Sequence, residues 1–410
     1  MPAACNMLIE FSVSNFRSFR ERQTLSMVAA PGLGKENNVF AAPVDGEKLP
    51  DLLKVAAVYG PNASGKSNLL KALEALSNIA GLEPQARPRP LPVAPFRFDA
   101  SLIDQPSTLE VHFIENRMRY AFTLTASAER IVEERLAVFP NGEEALLYHR
   151  KRDEYEFGSA LEGEPALHLT WSQATNPHVL FLSRAVAHSN ESLQQLRHPH
   201  RWLTSQVQVV VGNLSSFLSH MRWEIAQGSA FEDDVLTLLR DNDIPVTAIR
   251  SDMDFPDDDV DSHDGDKLQL RTTLTHKTAL GDAQFDLREE SQGTQCLFAF
   301  ALPWISSAQD VTSVLAIDEF DSSLHPDIVA NLVRKHIESE PPRQLIFTTH
   351  DTHFMTTKLL RRDQFWLTER DANGATQLRS IHDFEGSEDE DLEKRYFEGR
   401  YRALPLVRRD

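Results

Sequence analysis

The chain is short of cysteine, of positive charge and of long apolar runs, and each shortage narrows what it can be. Two cysteines among 410 residues, Cys5 and Cys296, cannot build a disulfide framework or a four-cysteine zinc site. So little thiol suits a reducing compartment. The longest strongly apolar stretch, Leu297 to Ile305, is about half a membrane span and contains Pro303, and the opening MPAACNMLIEF has no basic region followed by an apolar core. A cytoplasmic chain with no membrane partner is therefore expected. Lys and Arg number 42 against 61 Asp and Glu, a formal charge of −19, which argues against a surface that binds nucleic acid everywhere. A local basic groove stays open, because residues 252–266 and 383–393 carry −15 of the −19. Those two segments are candidate surfaces for a basic partner or for self-inhibition. With 41% hydrophobic residues the chain can bury a sizeable core, and its length allows two or three domains.

Residues 7–13 alternate apolar and polar, and a second alternating run spans about Gln23 to Val28, which predicts a β-hairpin-like start. Leu52 to Tyr59 reads as a short apolar strand, and Asn68 to Ile79 carries Leu69, Leu70, Leu73, Leu76 and Ile79 at helical spacing. Five prolines between Pro84 and Pro95 mark a loop. Strand-like runs at 109–114, 118–125, 131–139 and 144–149, with a turn signal at Asn141-Gly142, predict an antiparallel meander. Residues 183–240 read as helical without a heptad repeat. Strand signals return near 268–275, followed by a helix at 291–307, apolar runs at 311–317 and 344–348, and a helix at 328–337 between them. Such alternation makes a parallel, helix-covered sheet.

Gly60-Pro61-Asn62-Ala63-Ser64-Gly65-Lys66-Ser67 fits the P-loop pattern and stands where that pattern needs to be, after an apolar strand and opening a helix that continues with Asn68. Amides at a helix N-terminus and its positive dipole end hold phosphate oxygens, and glycine allows close backbone approach. Lys66 would neutralise the β- and γ-phosphates of ATP, and the Ser67 hydroxyl would coordinate Mg2+. Val314 to Ile317 is an apolar run ending in Asp318-Glu319, which delivers two carboxylates to the carboxyl edge of a sheet beside the P-loop. Asp318 would serve the metal shell and Glu319 the attacking water. The gap of about 250 residues between the two motifs implies an insertion. Ser291-Gln292-Gly293-Thr294-Gln295 opens an apolar helix 27 residues before Asp318, and the strand Gln344 to Thr348 leads to His350, 32 residues after it. Alone, the first is an ordinary Ser cap and the second an ordinary histidine; their order carries more.

In that order the chain resembles the ABC-type ATPases of the SMC and RecF branch. The residues concerned are Asn15-Phe16-Arg17-Ser18-Phe19, GPNASGKS as Walker A, SQGTQ as the signature, LAIDEFDSSLHP as Walker B with its D-loop, and TTH as the switch histidine. More closely, MLIEFSVSNFRSF, VYGPNASGKSNLLKAL and KRYFEGRYRALPL look like the stand-alone bacterial ATPases of the RloA type, found in phage-defence and restriction loci. The family's usual start falls at Met7, leaving residues 1–6 as an extension. The implied fold is α/β, a P-loop head with a RecA-like parallel sheet plus an antiparallel β subdomain. Its expected parts are an N-terminal ATPase lobe over 1–180, a helical insertion with an acidic loop over 181–267, and a C-terminal ATPase lobe over 268–410.

The resemblance further implies that ATP sits between the Walker A of one protomer and the signature of another, so that Ser291 and Gly293 bind the γ-phosphate in trans. Ser322, Ser323 and Leu324 would line the dimer interface, His350 would contact the γ-phosphate or the lytic water, and Arg17 would lie near the nucleotide. The Q-loop glutamine is Gln85 or Gln105. The implied role is the sensor of an anti-phage system whose effector is a separate protein encoded nearby, RloB-like or a nuclease. The alternative is a RecF-like DNA-binding ATPase of DNA repair. The Glu and Asp-x-Asp of a TOPRIM nuclease, as in the related OLD proteins, do not follow His350, so no nuclease is expected in this chain. The Asp run at 252–266 lacks a calcium-loop register and reads as a solvated loop. His178, His188, His198 and His200 lack metal spacing, and Trp202, Trp223 and Trp304 read as packing residues. The basic C-terminal residues from Lys394 onward would meet nucleic acid or a partner, or else pair with the acids just before them.

Overall fold

The computed structural model describes residues 6–83, 89–189, 193–212, 215–228, 231–254, 269–308, 313–387 and 390–404. The chain divides into two compact units, one of residues 1–211, 311–319 and 333–410 and the other of residues 212–310 and 320–332.

The first unit contains two sheets. The larger one runs Glu154–Phe157, Ala145–Lys151, Ile131–Val138, Met118–Ala126, Ser107–Glu115, Met7–Ser14, Gln23–Ser26, and its pairings are antiparallel throughout. It contains the expected meander, with the N-terminal hairpin added at one end. Alternation in Ser107–Glu115 puts Leu109, Val111 and Phe113 inside, where Phe113 stacks between Tyr120 and Trp202. The second sheet has the order Val207–Val210, Val314–Ile317, Gln344–Thr348, Val55–Tyr59, Phe365–Arg370, Thr376–Ser380. Its first five strands are parallel and the last is antiparallel. All residues of Val55–Tyr59, Val314–Ile317 and Gln344–Thr348 are buried, as a sheet covered on both faces requires. Gln344 ties the sheets together, accepting from Leu8 N at 2.7 Å and donating to Leu8 O at 2.9 Å.

Residues 181–211 were expected to open the insertion, yet they belong to the first unit. Two contacts account for this. Glu134, fully buried, accepts from Tyr148 Oη at 2.7 Å and from the amides of Phe181 and Leu182 at 2.8 and 3.0 Å, capping the helix Phe181–His188 against the large sheet. Val207–Val210 then pairs in parallel with Val314–Ile317.

The second unit is mixed rather than helical. Its helices Ser215–Ala226 and Phe231–Arg240 pack against the helix Gln292–Ala308, and its strands Val246–Asp254, Gln269–Thr278 and Gly281–Asp286 form an antiparallel sheet. The acidic run at 252–266 lies outside the described residues beyond Asp254. Trp304 stacks on Phe320 at 6.1 Å, as a packing residue should, but Trp223 is half-exposed: it sits on the outer side of its helix.

Four acids of the second acidic segment have partners within the fold. Asp383 accepts from Ser380 N, Asp391 from Lys394 N, Glu393 from Thr352 Oγ1, and Glu390 pairs with Arg395 and with buried Arg362. The pairing of Arg395 with an acid just before it is the plainer of the two readings of the tail.

Candidate functional site

The P-loop follows Val55–Tyr59 and ends at Gly65, the cap of the helix Lys66–Ala80. That helix forms where Leu69, Leu70, Leu73, Leu76 and Ile79 turn one apolar face to the core, and its N-terminal amides open toward the loop. Ser64 N donates to Pro61 O at 3.2 Å, Ala63 adopts a left-handed conformation (φ 60°), and Asn62 and Ala63 are exposed. Buried Lys66 donates through Nζ to the carbonyls of Gly60 (2.8 Å) and Pro61 (3.2 Å), so its ammonium lies inside the loop. Ser67 and Asn68 are half-buried, and Asn68 Nδ2 donates to Ser18 Oγ at 2.8 Å.

Two threonines that the sequence did not single out shape this loop. Thr368 Oγ1 bonds Ser64 Oγ at 2.5 Å and Tyr59 O at 3.2 Å, and Thr376 Oγ1 lies 2.8 Å from both Ser64 O and Ser18 Oγ. A Cβ on Gly60 would overlap Thr368, and one on Gly65 would overlap Thr376 Oγ1. Glycine at these two positions is therefore what lets the loop lie directly against the hydroxyls behind it. Gly65→Ala is expected to lower thermal stability through about 1–3 kcal/mol of backbone strain at φ 112° and to abolish nucleotide binding. A thermal melt and a nucleotide titration both at wild-type values would show that the loop does not need glycine there.

Asp318 and Glu319 leave the end of Val314–Ile317, with Asp318 half-buried and Glu319 exposed. Thr348, fully buried at the end of the neighbouring strand, accepts from Glu319 N at 2.7 Å and donates to Asp318 Oδ1 at 2.6 Å. This clamp holds Glu319 at φ 51°, a conformation that non-glycine residues keep only when their surroundings enforce it. His350 follows the same strand, exposed, two residues beyond Thr348. The strand of Asp318 and the strand of the P-loop flank that of His350, so their backbones are two strand spacings, about 10 Å, apart. The parallel sheet thus gathers Gly60 to Asn68, Asp318, Glu319 and His350 at one carboxyl edge. A cleft of about 770 Å³ opens there, lined by Gly60, Pro61, Asn62, His350 and residues from 352 to 404.

Arg17 is exposed, with φ 51° and its guanidinium 5.6 Å from the Phe16 ring centroid. Its turn is joined to the P-loop helix through Ser18, and Arg17 is not among the residues lining the cleft. Gln105, exposed, stands in the turn before Ser107–Glu115, where its carbonyl accepts from Asn15 Nδ2 at 2.9 Å; Gln85 lies outside the described residues. Ser291 and Gly293 belong to the second unit. Ser291 Oγ accepts from Thr294 N at 3.1 Å, capping the helix Gln292–Ala308. A Cβ on Gly293 would stand 2.8 Å from Ser323 O, so glycine permits the close approach of the 322–324 turn. Cys296 Sγ sits 3.4 Å from Ser322 O, and burial pushes its thiol up to about 11. That makes it a packing group rather than a nucleophile.

The family model described as "AAA domain, putative AbiEii toxin, Type IV TA system" matches residues 55–356, about three quarters of the chain and the whole span from the P-loop strand to the turn after His350. The chain belongs to this AAA family. Membership makes it an ATPase-family protein with a nucleotide-binding P-loop, and its described fold is α/β, with one mostly parallel sheet and one antiparallel sheet in the first unit. Among solved structures it is similar to an SMC head bound to the C-terminal winged-helix domain of ScpA (13% identity over 91% of this chain and 97% of that one, TM-score 0.44). The SMC head domain from Thermotoga maritima gives 13% identity over 91% and 98%, with a TM-score of 0.42. The Pyrococcus furiosus SMC head with an extended coiled coil, bound to the C-terminal domain of ScpA, gives 12% over 92% and 97%, with a TM-score of 0.41. No curated protein matches the sequence. No helix among the described residues is long and apolar enough to cross a membrane.

Proposed function

We propose that this AAA-family chain is an RloA-type ATP hydrolase that closes head-to-tail around ATP. In this reading it is the sensor subunit of a bacterial anti-phage defence system whose effector is a separate protein. The observation that carries the enzymatic part is the convergence of the P-loop, the Asp318-Glu319 pair and His350 at one sheet edge, with Thr348 fixing the backbone of Glu319. The family's description as a type IV toxin–antitoxin component supports the defence context.

The residues fit ATP and Mg2+. The loop ends at the N-terminus of the helix Lys66–Ala80, whose free amides suit phosphate oxygens, and Ser67 with Asp318 offers the hard oxygen ligands that magnesium prefers. These two would hold the ion, which when bound neutralises phosphate charge and polarises the terminal phosphoryl group. Lys66 supplies a buried positive charge against the β- and γ-phosphates. Glu319 takes the proton of the attacking water, and His350 orients that water or the terminal phosphate. Ser291 and Gly293, at a capped helix N-terminus, present amides to the nucleotide of a second copy.

Sharing of the nucleotide has a direct test. Lys66→Ala and Ser291→Arg are each expected to be inactive alone. Mixed in equal amounts they should recover roughly a quarter of wild-type hydrolysis, because half the dimers are mixed and each holds one intact site of two. A mixture no more active than its components would contradict the head-to-tail arrangement.

A further inference from the structure

The C-terminal motif from Lys394 to Leu404 has no part in the mechanism above, yet it forms a wall of the cleft beside the P-loop. Tyr396, Phe397, Arg402 and Leu404 face it together with Gly60 to Asn62 and His350. This arm is firmly held. Asp391 caps the short helix Leu392–Phe397, Leu392 and Tyr401 are buried, and Tyr396 Oη donates to Ala403 O at 2.9 Å. It is also tied to the turn that carries His350, because Thr352 Oγ1 donates to Glu393 Oε1 at 2.7 Å.

Arg402 stands out on this arm. Its backbone is left-handed at φ 60°, in a turn closed by its own amide on Gly399 O at 3.2 Å. Its side chain is exposed on the cleft and has no hydrogen-bond or ion-pair partner among the described residues. The other arginine lining the cleft, Arg370, lies over the Phe98 ring, and Glu369 is 3.9 Å from Arg379. An uncommitted guanidinium on an anchored, strained turn, facing the start of a phosphate loop, is suited to an anion.

We infer that Arg402 binds the terminal phosphate of the nucleoside triphosphate held by the P-loop, making the C-terminal arm the part of the chain that tells triphosphate from diphosphate. This rests on the nucleotide reading of the site and adds a residue to it. The tie between Thr352 and Glu393 links the arm to His350, so both groups on the terminal-phosphate side belong to one anchored assembly.

The test compares binding of fluorescent mant-ADP and mant-ATPγS, each with Mg2+, to wild type, Arg402→Gln and Arg402→Lys. Arg402→Gln should lower the preference for the triphosphate about tenfold, the worth of one charge-assisted hydrogen bond, with mant-ADP affinity held within about twofold. Arg402→Lys should keep most of the preference. A preference unmoved by Arg402→Gln would overturn the assignment while leaving the P-loop reading in place. So would equal loss of both ligands, or tighter binding, which would mark the arm as a structural brace or a plug. Wild-type protein that bound neither nucleotide would overturn both readings.

Discussion

Glu319→Gln is expected to reduce ATP hydrolysis by about 10²–10⁴-fold while leaving nucleotide binding intact. The substitution keeps the shape of the side chain and removes the carboxylate proposed to accept the proton of water. The backbone should not move, because Thr348 holds the Glu319 amide and the Asp318 carboxylate, neither of which the substitution alters. With hydrolysis blocked, the nucleotide that the proposal places between two copies would persist, so the variant should accumulate as a dimer in ATP and Mg2+ and return to the wild-type distribution in ADP. Size-exclusion chromatography with light scattering reads this directly. Full hydrolysis by Glu319→Gln would mean that another group activates the water. Loss of hydrolysis without any ATP-dependent dimer would separate the chemistry from the shared-nucleotide mechanism.

The parts legible in the sequence are those in which one local segment meets the whole physical requirement. The P-loop needs a buried strand, a glycine-containing turn and an amphipathic helix in immediate succession, and 52–80 contains all three. The strand before Asp318 is equally self-contained, because four consecutive apolar residues suit a strand buried on both faces, as in a helix-covered parallel sheet. The hydroxyls that complete the site were hidden. Thr368 and Thr376 lie some 300 residues after the loop they buttress, and nothing near them in the sequence marks that role. Thr348 could have been noticed as a hydroxyl ending a buried strand beside the acids.

The insertion was misread for a related reason. Val207–Val210 is a short β-branched run placed after helical signals, and its partner, Val314–Ile317, is a hundred residues away. Such a strand is defined by its neighbour rather than by its own period. Glu134, whose buried carboxylate caps the helix at Phe181, likewise looks like any acid of an alternating strand. In the acidic segment at 383–393, Asp383, Glu390, Asp391 and Glu393 are engaged locally by caps, an arginine pair and a threonine, while Asp383, Glu385 and Asp391 remain exposed.

Lys66→Ala should also reduce ATP turnover strongly. Lys66 Nζ is held among the loop carbonyls of Gly60 and Pro61, where a phosphate chain would meet a preorganised positive charge. Alanine leaves the helix intact, being its best former, so the variant should still fold. What it loses is charge against the β- and γ-phosphates, and a preorganised donor in such a site is worth about a hundred- to a thousandfold in rate. The central claim is therefore tested most directly by phosphate release from ATP and Mg2+ under identical conditions for wild type and Lys66→Ala. The account predicts measurable turnover by wild type and a loss of that size in the variant. Equal rates in the two proteins, or no turnover by wild type at any ATP concentration, would contradict it.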